Sequence, residues 1–164
     1  MPLFKLYRLI TYTCLLFSSY SINALEIIFI NPGFSNSTEA NSNKTGDFWF
    51  HVSKIMQNAA TDLDVTLTIK YANRNHILMK ELIQQAINDK PDYLLLVNEK
   101  NVTSQYLSKI DSNKVPIYFL LNRPSPASLE QLQKNGVNVV GSITPNNRVA
   151  GKSLMQQLYK KFTN

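Results

Sequence analysis

Very little in this chain is suited to covalent chemistry. Its 164 residues hold one cysteine, Cys14, two histidines and one tryptophan. Cys14 lies in the amino-terminal segment, so the chain beyond it has neither a disulfide nor thiol chemistry. The five glycines (Gly33, Gly46, Gly136, Gly141 and Gly151) are isolated, so no glycine-rich cradle for a phosphate follows a strand, which disfavours a dinucleotide fold. No Gly-x-Ser-x-Gly elbow occurs. His51 and His76 have neither a nucleophile partner nor a second ligand at metal-binding spacing, so no metal is expected. Basic residues outnumber acidic ones by 17 to 11, but the longest basic run in the folded part is the pair Lys160-Lys161. No basic stripe follows a phosphate backbone, and nucleic acid is not an expected partner.

The first 24 residues have a different character from the rest. Lys5 and Arg8 precede an apolar stretch from Leu9 to Phe17, and Ser18 to Ala24 ends in Ile-Asn-Ala, a small-residue cleavage pattern. Residues 1–24 read as a secretory signal peptide, too short to span a bilayer as a mature anchor. Residues 25–164 then carry 15 basic and 11 acidic groups, a net +4. Export without a disulfide framework fits the periplasm of a bacterium, where the core alone must hold the domain.

What the chain does have is apolar strands alternating with helices. Glu26 to Ile30 form a first strand, ending at Asn31-Pro32-Gly33, and an Asn- and Ser-rich loop runs from Phe34 to Thr45. Asp47 is a suitable cap for a helix over 48–63, with Phe48, Val52, Ile55, Met56, Ala59, Ala60 and Leu63 on one face. Trp49 and Phe50 fall off that stripe. Val65 to Ile69 alternates as an edge-like strand that runs on to Tyr71, and a helix with Met79, Leu82, Ile83 and Ala86 inward follows Asn73 to His76. Tyr93 to Val97 is five apolar residues in a row, the pattern of a strand covered on both faces at the centre of a parallel sheet. Further helices are expected over 102–110, 127–134 and 146–162, the last with Ala150, Leu154 and Leu158 inward. Further strands are expected over 115–121 and 137–141. Strand and helix in turn predict an α/β fold of three layers, with a parallel sheet of about five strands in the flavodoxin-like order 2-1-3-4-5.

In such sheets ligands gather where the strands end. The residues expected there are Asn31, Trp49, Asn98, Glu99, Asn122, Arg123 and Asn146, with Phe48 beside Trp49. Amides donate and accept, a guanidinium offers a planar fork, and aromatic rings stack on the apolar faces of sugar rings. Glu99 is the only carboxylate among them, and one carboxylate makes no acid/base pair. The inventory suits holding a neutral polyhydroxy solute without transforming it, so neither an enzyme nor a cofactor is expected.

Phe48-Trp49 opening a helix, Asn98, then Asn122-Arg123, then the stretch from Gly141 to Gly151 (GSITPNNRVAG) resemble, in that order, the amino-terminal lobe of type I periplasmic binding proteins, with the ribose-binding protein as the nearest familiar relative. The resemblance implies that Phe48 and Trp49 stack on a sugar, Asn98 bonds its hydroxyls, and Asn122 with Arg123 clamps the ring. It departs from the family at Asn122 and Asn146, where Asp is usual, and in the long loop after the first strand. It also implies a single lobe with the second absent, either a truncated fragment or a lone lobe, and hence weak or no binding by the chain alone. The partners it implies are a sugar-like ligand and an inner-membrane ABC permease. The alternatives are a sensor lobe presenting an autoinducer-like signal to a kinase or chemoreceptor, and a flavodoxin-like secreted enzyme.

Overall fold

The computed structural model describes residues 24–42, 47–110 and 113–163. The segment read as a signal peptide lies, apart from Ala24, outside the described residues. The apolar strands β1 (Glu26–Asn31), β2 (Thr66–Tyr71), β3 (Tyr93–Leu96), β4 (Asn113–Leu120) and β5 (Val137–Ile143) pair in parallel. Their order is β2-β1-β3-β4-β5, which is the order expected, with β3 in the middle.

Side chains alternate across a strand, so each buried strand supplies two cores. Ile28, Ile30, Leu94, Leu96, Ile117 and Phe119 share one cluster with Met79, Ile83 and Ala86 of α3 (His76–Asp89), Leu107 of α4 (Val102–Leu107) and Leu132 of α5 (Pro126–Lys134). Phe29 and Val97 belong to a second cluster, with Trp49 of α2 (Phe48–Asp62) and partly buried Val52 and Met56. Each fully buried side chain of this size stabilises the fold by roughly 1.5–3 kcal/mol. The uninterrupted apolar run of β3 follows from having a core on both sides.

Local chemistry sets the helix ends. Asn75 caps α3, its side-chain oxygen accepting from the N–H groups of Ile77 and Leu78 at 2.9 and 3.2 Å. The helix closes at Lys90 in the left-handed conformation, just before Pro91. Ser125 caps α5, with Pro126 at its first position, where a missing N–H costs nothing. Pro116 lies within β4, where the pairing with β5 slips register, consistent with a residue that donates no ladder bond.

Four expectations need correction. The loop after β1 contains a short helix, α1 (Ser37–Ser42), started by Asn36 accepting from the Glu39 N–H at 2.7 Å. Asp47 makes no side-chain cap bond and instead meets the His51 ring one turn on, at 3.0 Å. The inward face of α2 is set by Trp49 and Ser53, while Phe48, Ile55 and Leu63 are 52%, 69% and 72% exposed. Trp49 has the largest side chain on the helix, and packing it against Phe29 keeps Val52 and Met56 partly buried while Phe48, Ile55 and Leu63 point outward. Finally, α6 (Asn147–Thr163) buries none of its described side chains: Leu154 and Leu158, expected inward, are 58% and 41% exposed. Among the described residues, no helix is long and apolar enough to cross a membrane.

Candidate functional site

The carboxyl ends of β3, β4 and β5 open together into one hollow of about 470 Å³. After β3 it is lined by Asn98, Lys100 and Asn101, after β4 by Leu121, Asn122 and Arg123, and beyond β5 by Thr144. A backbone bond joins two of these loops, the Asn98 N–H donating to the Asn122 carbonyl at 3.1 Å. Asn98, Asn122 and Arg123 were expected at the site, and the structure brings them together. Lys100, Asn101, Leu121 and Thr144 were missed. They lie in short connections that no periodicity marks, although their place just past the strand ends could have pointed to them.

The loop after β3 is held tightly. Asn98 is 3% exposed. Its side-chain oxygen accepts from the Ser104 N–H at 3.0 Å, and its amide nitrogen donates to the Asn101 side chain at 3.1 Å. Thr103 donates its hydroxyl to the Val97 carbonyl at 2.8 Å, fastening the start of α4 to the end of the strand. These bonds hold Lys100 and Asn101 at φ of 49° and 62°, and across the hollow Leu121 has φ of 63°. Left-handed backbone costs roughly 1–2 kcal/mol per non-glycine residue and persists only where the surroundings fix it.

Other expected site residues have different partners. Asn31 is fully buried and faces inward. Its amide nitrogen donates to the Trp49 carbonyl at 3.0 Å and to the Ser53 hydroxyl at 2.7 Å, while its oxygen accepts from the Gly33 N–H at 2.7 Å. It joins the end of β1 to α2 and leaves no surface for a ligand. Trp49 is 8% exposed, with its ring beside Phe29, centroids 6.4 Å apart. Its stacking face is covered by the core, not offered to a solute. Phe48 is exposed and lies edge-on to Trp49 at 5.1 Å, but neither ring lines the hollow. Glu99 turns away from the hollow and pairs with Arg74 at 2.6 Å, linking the loop after β3 to the one after β2. Asn146 caps α6, accepting from the Val149 N–H at 3.1 Å, and does not line the hollow either.

Chemically, the hollow offers amides, a hydroxyl and two cations, which bind oxygen-rich solutes. It contains no nucleophile paired with a base. Among the described residues, no group of three or more His, Cys, Asp or Glu side chains could hold a metal ion.

No protein-family model and no curated protein matches the sequence. A solved structure does. The crystal structure of a periplasmic sugar-binding protein from Pseudomonas fluorescens is similar with a TM-score of 0.59 and 28% sequence identity. The match covers 80% of this chain and 35% of that one, so the chain spans about a third of the length of its structural neighbour. The likeness fits the amino-terminal lobe that the order of the motifs resembles, and the α/β fold with its strand order agrees with it.

Proposed function

We propose that the hollow over β3, β4 and β5 holds a sugar or sugar-like small molecule, in a periplasmic solute-binding protein that passes its ligand to an ABC-type importer. The observation that carries this reading is the convergence of Asn98, Asn122 and Arg123 at neighbouring strand ends. The likeness to a periplasmic sugar-binding protein supports it. The solute is held and not transformed: the one carboxylate among the strand-end residues, Glu99, is engaged by Arg74.

An open hollow covers one face of a solute, so affinity is weak, with Kd on the order of 1 mM or above. The test is an NMR titration of the full chain with a panel of pentoses and hexoses. Amide signals of residues 98–101, 121–123 and 144 shift on binding, and Arg123→Ala with Asn122→Ala abolishes the shifts. Trp49 fluorescence stays nearly constant, because the ring is packed under the loop after β1. A panel in which no sugar moves these signals would refute the proposal.

A further inference from the structure

The hollow has a charge that a neutral sugar would leave unbalanced. Lys100 and Arg123 both line it, and no carboxylate does. Among the described residues neither cation makes an ion pair. The acid next in sequence, Glu99, is held by Arg74 at 2.6 Å and is not available to neutralise Lys100. The backbone that carries Lys100 is left-handed at two successive non-glycine residues and fixed by the Asn98 and Ser104 bonds. The fold thus maintains, at some conformational cost, a turn that sets a lysine at the rim of the hollow. Two like charges at one open mouth repel each other, and an anion relieves that repulsion while accepting from both donors.

We infer that the solute is an anionic sugar, a sugar acid or sugar phosphate, whose charged group is served by Lys100 and Arg123. Asn122 and Thr144 are left to meet its hydroxyls. This rests on the sugar-binding reading and narrows it to a substrate class. Carboxylate and phosphate both suit the guanidinium fork, so experiment must separate the two.

The test titrates the full chain, followed by NMR, with galactose against galacturonate, ribose against ribose 5-phosphate, and inorganic phosphate alone. The expected result is that at least one anionic sugar binds about tenfold more tightly than its neutral partner. That preference falls to about threefold or less in Lys100→Gln and in Arg123→Gln, survives Lys100→Arg, and shrinks as salt is raised to 0.5 M. Whichever pair shows the preference identifies the carboxylate or the phosphate. Equal affinity for neutral and anionic partners overturns the charge inference and leaves the sugar reading intact. No shift with either kind of sugar overturns both. Inorganic phosphate binding as tightly as ribose 5-phosphate overturns the anionic sugar, since the sugar ring would then contribute nothing. The readout is a ratio of affinities within each variant, so an altered overall affinity does not mimic it. Both side chains are exposed, and a melting curve for each variant checks its fold.

Discussion

Asn31 shows how one side chain can look like a ligand contact and act as a brace. It makes three hydrogen bonds, to Trp49, Ser53 and Gly33, in a fully buried position. Replacing it by alanine leaves those partners unsatisfied without water to take its place, so Asn31→Ala destabilises the chain by about 2–4 kcal/mol in urea unfolding. A loss under about 1 kcal/mol would mean that the bonds are dispensable. Gly33 is equally constrained, for a different reason. A Cβ there would stand 2.3 Å from the Trp49 Cβ, an atom fixed to its helix backbone. Gly33→Ala therefore costs about 1–3 kcal/mol by overpacking and shifts the Trp49 emission. Sequence placed both residues at the end of a strand but could not show which way the Asn31 amide turns. An apolar run ending in a polar residue is compatible with an outward contact or with an inward cap. Asn98 was read as a contact and is partly both, lining the hollow while capping the turn behind it.

At the scale of elements, the sheet and its helices were legible because strand runs and helical spacing are repeated signals, each resting on several residues. What escaped depended on single side chains. The face of α2 was misread because Trp49, one residue off the expected stripe, outweighs Ile55 and Leu63 in what its burial contributes. Caps give the same lesson in a testable form. Asn75 accepts two backbone N–H bonds and Asp47 none, although both residue types favour the position. Asn75→Ala should lower stability by about 1 kcal/mol, whereas Asp47→Ala changes it by less than about 0.5 kcal/mol. Equal losses in chemical denaturation would show that residue type alone sets the cap. The loops lining the hollow were the least legible elements. Their geometry comes from Asn98, Ser104 and left-handed turns, and no spacing rule announces those.

For the molecule as a whole, the two faces of the sheet are covered unequally. α3, α4 and α5 lie on one face, and on the other α2 packs chiefly beside β2. Tyr93 and Tyr118 meet there at 6.0 Å and stay half-buried. α6 takes no part in either core, for its described residues are exposed from Asn147 onward. A helix of this length draws most of its stability from packing, not from propensity, so alone in water it is marginal. Deleting residues 147–163 should therefore move the melting temperature by less than about 2 °C, since none of the helix's described side chains belongs to a buried core. In the intact chain the amides of α6 should exchange with solvent far faster than those of β3, which lies at the centre of the sheet. A drop in melting temperature of more than about 5 °C, or strong protection along α6, would show that Leu154, Leu158 and Phe162 are covered in solution. The hollow draws on the ends of β3, β4 and β5 and on no residue of α6, so the truncated chain should keep whatever affinity the full chain has for its solute. Matching titrations of the two chains would then place binding in the sheet rim itself.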